Sequence, residues 1–464
     1  MPKHTFISEG PMKIPFPSES MLAFGYLSVM LLAGIALRAR VPVLQRFLFP
    51  SCLIGGVLGL ILVSTGIVKV ETSLLETFAF HFFNISFISV GLTPGNRGEN
   101  HGKGKSLLRG PLWMALIEGV TLPLQAVVGG FLTILFCYLG MELFSTFGFF
   151  VSLGFTEGPG QALSIGKVWE GLGFQHAATI GLTFAAIGFF FAFFVGVPLV
   201  NWGIRKGLAV RGKVELPADL LRGIVPPGGD KESAGSLTMH SGNVDTIAFQ
   251  SALIGLVYLL TYGFVYTVAR VLPADAGSIL WGFFFFFGMF IGLIVRWIME
   301  KLGIGHMLDP GVQRRITGWS VDFLIVSTVA AIQVVVVWQF ILPITIMSLL
   351  SGILTTLGIV YLGRRLDDLN LERMVAIYGT CTGTVSSGLL LLRIVDPEFK
   401  TPVAIEIGLM NVIVMPIIVG CMVLVNAPLW WHWSVALTSI IFAAILASCL
   451  LLIKVLGFWG PRKF

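Results

Sequence analysis

The sequence predicts an all-α polytopic membrane protein made of two inverted-topology repeats. Each repeat is expected to hold about five transmembrane helices plus a re-entrant, broken glycine-rich segment, and an extra helix follows at the C-terminus. Three observations carry this prediction. The 464 residues are 56% hydrophobic and only 12% charged, with a mean hydropathy of +0.91. Soluble domains carry about 25% charged residues, so too little polar surface is left to face water. Apolar runs long enough to cross ~30 Å of hydrocarbon recur along the whole chain. Two further apolar stretches, 147–168 and 375–393, carry glycines and hydroxyls at their centres and do not read as plain spans.

Taken in order, residues 1–20 form a tail with Pro11, Pro15, Pro17 and Glu19. It has no apolar signal-peptide core, so the first span is expected to be an uncleaved anchor. The first repeat covers 21–204, with spans at 21–37, 47–65, 73–92, 110–137 and 176–204. A cytoplasmic linker rich in Gly, Pro and charge follows at 205–246 and contains Pro226-Pro227-Gly228-Gly229. The second repeat covers 247–427, with spans at 247–271, 276–298, 318–342, 344–362 and 403–427. Residues 428–464 supply the extra span, 433–456, and the tail. Most tryptophans, among them Trp113, Trp297, Trp338 and Trp431, fall near proposed span ends, as an aromatic belt requires.

Charge orients these spans. If both odd stretches fold back to the face they came from, the basic loops share one side. These are the loops with Arg38, Arg40 and Arg46, with Arg97, Lys103, Lys105 and Arg109, and the linker with Arg205, Lys206, Arg211 and Lys213. Lys301, Arg314 and Arg315, then Arg364 and Arg365, then Arg462 and Lys463 join them. The other face receives Glu142 and Asp275, and only Lys69 and Lys167 run against the bias. Cytoplasmic loops of an inner-membrane protein carry such an excess of Lys and Arg. An odd number of spans per repeat then starts the second half from the opposite face, which inverts it. The net charge of +6 is thus an orientation signal, and nucleic-acid binding is excluded because no basic cluster with interleaved aromatics occurs. The five cysteines lie in apolar runs without a CxxC pair and read as small hydrophobes.

Internal similarity fits the repeat. Asn84-Ile85-Ser86-Phe87-Ile88-Ser89 resembles Asp322-Phe323-Leu324-Ile325-Val326-Ser327, and Thr179-Ile180-Gly181-Leu182 resembles Glu406-Ile407-Gly408-Leu409. Each pair flanks the broken segment of its own half.

The broken segments carry the candidate chemistry. The first reads Gly154-Phe155-Thr156-Glu157-Gly158-Pro159-Gly160-Gln161-Ala162. Pro159 lacks an N–H, and Gly158 and Gly160 open backbone conformations closed to other residues. Unwound backbone at membrane depth is tolerated only inside protein or beside a wet cavity, where carbonyls can meet a cation and helix N-termini an anion. The alternative is a Gly-Pro turn outside the membrane. The second segment reads Gly379-Thr380-Cys381-Thr382-Gly383-Thr384-Val385-Ser386-Ser387-Gly388. Its neutral oxygens suit Na⁺ or a hydrogen-bonded solute. The alternative there is a small-residue helix-packing face.

Ionisable residues inside spans cost ~2.5–3.5 kcal/mol at mid-membrane and so mark sites. Glu118, Asp322 and Glu406 stand out, with Asn411 on the same span as Glu406. Structural hydrogen bonding is the alternative for Glu118, and solvation at the interface for Asp322. Asn84, Ser86, Ser89, Ser327 and Thr328 lie on spans expected beside the broken segments, with ordinary interhelical hydrogen bonds as the alternative. No Walker A, zincin or GxSxG pattern occurs, so nothing supports ATP coupling or a known hydrolytic site.

On these motifs the chain resembles a distant member of the bacterial sodium/glutamate symporter family. Glu157-Gly158-Pro159-Gly160-Gln161-Ala162 stands where that family has a Gly-Gly-His-Gly-Thr-Ala-like tip, and Trp169 follows it as a tryptophan does there. Gly181 through Asn201 resembles the next helix, and Phe82 through Leu92 resembles the family's third span. Thr382-Gly383-Thr384-Val385-Ser386-Ser387 stands where the family has a Gly-Ala-Thr-Pro-Thr-Ala-like tip. The resemblance implies Na⁺-coupled import of glutamate by a secondary transporter that works by alternating access, and a homodimer by analogy. The departures, Pro159-Gly160-Gln161 and Thr384-Val385-Ser386, touch the substrate shell, and neither tip has an Arg or Lys for a second carboxylate.

The expected function is therefore cation-coupled transport of a small anionic or zwitterionic solute, with no cofactor other than Na⁺ as coupling ion and no enzymatic step. The expected site comprises Thr156, Glu157, Gly158, Gly160 and Gln161 from the first tip. Thr380, Thr382, Gly383, Thr384, Ser386 and Ser387 come from the second, and Asn84, Ser89, Asp322, Ser327, Glu406 and Asn411 from flanking spans. A passive channel and an intramembrane lipid-modifying enzyme are the alternatives.

Overall fold

The computed structural model describes residues 18–94, 108–210, 218–229, 231, 233–272, 277, 280–397 and 399–463. Pro11, Pro15 and Pro17, the basic residues Arg97, Lys103, Lys105, Arg211 and Lys213, and Asp275 lie outside the described residues. The described residues are helical and irregular, without strands.

The principal helices are α1 (Glu19–Arg40), α2 (Ser51–Ser64), α3 (Thr72–Leu92) and α4 (Arg109–Tyr138). Then come α5 (Phe147–Glu157), α6 (Pro159–Gly171) and α7 (Ala177–Arg205). After the linker the chain continues with α8 (Thr246–Val271), α9 (Phe284–Lys301), α10 (Pro310–Ala330) and α11 (Ile341–Gly363). Last are α12 (Asn370–Thr382), α13 (Val385–Val395), α14 (Val403–Leu424) and α15 (Val435–Val455). Eight of them, α1, α3, α4, α7, α8, α11, α14 and α15, are long and apolar enough to cross a membrane. The chain is an all-α multi-pass membrane protein.

Local chemistry sets several boundaries. Asp245 caps α8 by accepting from Ile247 N at 2.7 Å, and Ser434 caps α15 by accepting from Leu437 N at 3.1 Å. α10 begins at Pro310, eight residues before the expected span at 318, because Asp309 caps it and proline suits the first helical turn. The Asp309 carboxylate accepts from Val312 N at 2.7 Å. That same helix ends at Ala330, so the expected span 318–342 is broken and the short helix Val334–Gln339 lies beyond the break. Trp113 also departs from expectation. It is fully buried inside the protein, whereas Trp297, Trp338 and Trp431 are exposed as belt residues should be.

By contact the helices sort into two bundles. One gathers α1, α2, α3, α8, α9 and α10. Within it α3 packs along α10, α2 packs on α10, and α3 packs on α9. Glycines permit these close approaches. A Cβ on Gly91 of α3 would strike the backbone of Met289 in α9, and one on Gly34 of α1 would strike that of Ser51 in α2. The other bundle gathers α4, α5, α6, α7 and α11 through α15, with α15 lying along α4.

The four short pieces α5, α6, α12 and α13 sit in this second bundle. At 11 to 13 residues each, they reach only about 16–20 Å and cannot span hydrocarbon alone. α12 and α13 form a hairpin whose legs meet at Gly379 and Gly388, where a Cβ on Gly379 would come 2.7 Å from the Gly388 Cα. α6 instead packs on α7 through Gly166, which faces Ala178, and Gly181, which faces the Ala162 carbonyl.

Candidate functional site

Both short-helix pairs break where glycine stands. α5 ends in a π-helical turn, Leu153–Glu157, and Gly158 follows at φ +86°, ψ −176°. This region of backbone space is essentially open to glycine alone. Pro159 then starts α6 at its first turn. In the second pair α12 stops at Thr382, and Gly383 (φ −150°, ψ −89°) and Thr384 (φ −158°, ψ 170°) carry the chain extended into α13.

The two breaks touch. A Cβ on Gly158 would lie 3.0 Å from Thr384 Cγ2 and 3.3 Å from the Gly383 carbonyl oxygen. A bridge from α4 ties them further. Gln125 donates from Nε2 to the Cys381 carbonyl at 3.1 Å, and its Oε1 accepts from Thr156 Oγ1 at 2.7 Å. Thr121 donates from Oγ1 to Cys381 Sγ at 3.1 Å. α7 closes the back, where Gly188 lets the Thr382 carbonyl approach to 2.7 Å of a would-be Cβ.

In front of the tips lies a cavity of about 360 Å³. Its lining comes from both bundles. Thr156, Glu157, Gly160 and Gln161 line it from the first tip, and Thr380, Thr384 and Ser386 from the second. Asn411 reaches it from α14, Glu118 from α4 and Ser86 from α3. Gln161 donates from Nε2 to Glu157 Oε2 at 3.2 Å. Glu157 Oε1, Glu118 Oε2 and Thr384 Oγ1 are buried and hydrogen-bond to no described residue. Phe83, Phe87, Phe283, Phe285 and Phe286 line it from the other bundle, with Phe83 packed against Gly160. Among the described residues no Lys or Arg lines the cavity, and no cluster of three or more His, Cys, Asp or Glu could hold a metal ion. The side-chain donors that the two tips supply to a cation are oxygens, which suit a hard monovalent cation better than a transition metal.

Several expected site residues are placed elsewhere. Glu406 is bound by Arg373 of α12, Nε to Oε2 at 2.7 Å and Nη2 to Oε1 at 2.7 Å, both side chains being buried. Arg373 also reaches Asp368 at 2.7 Å, so Glu406 anchors the base of the second hairpin. Ser89 donates to the Gln313 carbonyl at 2.8 Å and to Gln313 Oε1 at 2.7 Å, part of a chain that continues to Gln250. Ser327 donates to the Phe323 carbonyl at 2.7 Å on its own helix, and Asn84 to the Phe80 carbonyl at 2.9 Å. Asp322 sits against Cys52 of α2. Gly158, Thr382, Gly383 and Ser387 shape the tips from behind the lining, and the Thr382 hydroxyl donates to the Tyr378 carbonyl at 2.7 Å.

The sequence reading missed Gln125, Thr121 and Arg373. Glu118, Thr121 and Gln125 recur at i, i+3 and i+7 in an otherwise apolar run, which puts three polar groups on one helix face. That signal was available. Arg373 carries no local signal, since its partner lies a helical hairpin away.

No protein-family model, curated protein or solved structure matches this chain.

Proposed function

We propose that this chain is a cation-coupled secondary active transporter of the cytoplasmic membrane, importing a small solute by alternating access. The observation that carries the reading is the meeting of two unwound segments, one from each half of the chain, at a single cavity between two helix bundles. Discontinuous helices of this kind hold substrate and coupling ion in many transporters, and one bundle then rocks against the other around the site.

The order of elements supports an inverted repeat. Three helices, a long helix, a broken pair and a closing helix occur twice in the chain. The exchanged pairing of α2 with α10 and α3 with α9 is what a twofold axis in the membrane plane would produce. The similar stretches beginning at Asn84 and Asp322 lie on α3 and α10, which pack together. We extend the resemblance to the sodium/glutamate symporters to the fold and to Na⁺ as coupling ion. For the substrate, a lining without Lys or Arg favours a zwitterion over a dicarboxylate such as glutamate. The first turns of α6 and α13 offer backbone N–H groups for one carboxylate.

Uptake by proteoliposomes is the test. Accumulation is expected only when an inward Na⁺ or H⁺ gradient is imposed. Uptake that ignores both gradients would overturn coupling, and currents above turnover rates would point to a channel.

A further inference from the structure

The cavity has two walls, contributed by different bundles. The bundle of the tips supplies polar groups together with Met415, Ile418, Val419 and Met422, and Glu118 and Glu157 are the only charged residues among the described lining. Glu118 is 3% exposed, and its Oε2 hydrogen-bonds to no described residue. Glu157 accepts from Gln161 on one carboxylate oxygen, and the other is buried and hydrogen-bonds to no described residue. Both residues line the same cavity.

The other wall holds an aromatic cluster beside Ser86 and Thr317, and its Phe83 packs against Gly160 of the first tip. Phe83, Phe87 and Phe285 form a triad in which each ring centroid lies 4.9 Å from the other two. Phe83 and Phe285 are themselves buried, so the triad is a formed surface. It carries no donor or acceptor.

A ligand that satisfies both walls has a cationic head and an apolar body. The volume of about 360 Å³ lies at the small end of the ~300–1,000 Å³ range of ligand pockets, the scale of one large amino acid. A second carboxylate would meet two acidic groups and, among the described lining, no Lys or Arg to balance its charge. Resting on the transport reading above, we infer that the site selects an α-amino acid with an apolar, aromatic-sized side chain. Its ammonium group lies between Glu118 and Glu157, its side chain lies on the Phe83–Phe87–Phe285 triad, and acidic amino acids are rejected.

Binding to purified protein in detergent tests this without relying on transport. Four probes separate the groups: L-phenylalanine, phenethylamine (no carboxylate), 3-phenylpropionate (no ammonium) and L-glutamate. Phenylalanine is expected to bind most tightly and phenethylamine measurably. 3-Phenylpropionate is expected to be at least about tenfold weaker than phenylalanine, since it leaves the carboxyl pair without its charged donor. Glutamate is expected not to bind. In Glu118→Gln and, separately, Glu157→Gln, the gap between phenylalanine and 3-phenylpropionate should narrow. Phe285→Ala should weaken phenylalanine more than L-alanine. Glutamate binding in preference to phenylalanine, or 3-phenylpropionate binding as well as phenylalanine, would overturn the inference, and neither comparison requires a variant to fold. If phenylalanine binds selectively but no gradient drives its uptake, the transport reading falls and the substrate class stands. Gradient-driven uptake of glutamate alone has the reverse meaning.

Discussion

The two broken hairpins present similar tips but are held in place differently. The second is closed on itself by Gly379 and Gly388 and anchored inside its own bundle by the buried Arg373–Glu406 pair at 2.7 Å. Its return turn is fixed by Asp396, which accepts from Thr401 N at 2.7 Å, Thr401 Oγ1 at 2.6 Å and Lys400 N at 3.0 Å. The first lies open, with α6 packed on α7, and its base reaches across to the other bundle through Lys167 and Glu76 at 2.6 Å. The Lys167 side chain is 45% exposed and also pairs with Glu170 at 2.8 Å, whereas Glu76 is buried, so that pair is solvated from the lysine side. The firm anchor thus sits within one bundle and the weak one sits between bundles. The proposed transport cycle needs that distribution, because a rocking motion would have to break the contacts between bundles and keep those within them.

Four substitutions, the first with a compensating second change, probe this contrast, from the largest expected effect to the smallest. Arg373→Met strands the buried Glu406 carboxylate and should cost about 3–5 kcal/mol, read by thermal or chemical unfolding in detergent. Adding Glu406→Leu should restore most of that stability. A double variant no more stable than the single one would mean that the pair does not anchor the hairpin. Gly158→Val forces a β-branched residue into a backbone region costing of order 1–3 kcal/mol and pushes against Thr384. Uptake should be lost while the protein still elutes as a folded species, and retained uptake would separate the first tip from the site. Gln125→Leu removes the link between the tips and should cost about 1–3 kcal/mol, with a matching fall in uptake. Glu76→Gln keeps an oxygen acceptor for Lys167, which retains Glu170, and should cost about 1 kcal/mol, less than Arg373→Met. It should alter the rate of uptake and its dependence on salt more than the melting temperature. A stability loss as large as that of Arg373→Met would erase the difference between the two hairpins.

Much of this arrangement was legible in the sequence, for local reasons. Gly158-Pro159 and the glycine-hydroxyl run around Gly383 break helices by backbone chemistry that acts within a few residues, so both tips could be placed. The residues that join elements were harder to place. Glu406 looked like an isolated charge in an apolar span because Arg373 becomes its neighbour only after the hairpin folds. Ser89 and Ser327 looked like site residues because polar groups in spans invite that reading, yet they hydrogen-bond to a neighbouring helix or to their own turn. The early start of α10 was hidden by Arg314 and Arg315, which made its first turns look like a loop. Trp113 followed the belt rule in sequence but points into the protein.

One consequence follows from the position of α15 along α4. Gly119 faces Cys449, Gly130 faces Ser439 Oγ, and Phe149 meets Phe442 at 5.7 Å, so the C-terminal helix completes the surroundings of the helix that bears Glu118 and Gln125. During synthesis α4 leaves the ribosome roughly 300 residues before α15 does, and at about 5–20 residues per second it waits some 15–60 s for its partner. In that interval lipid must fill the groove that Gly119 and Gly130 leave on α4, while the polar face with Thr121 and Gln125 is already met by α12. A nascent chain halted before Val435 would keep that groove open, so α15 completes the packing of α4.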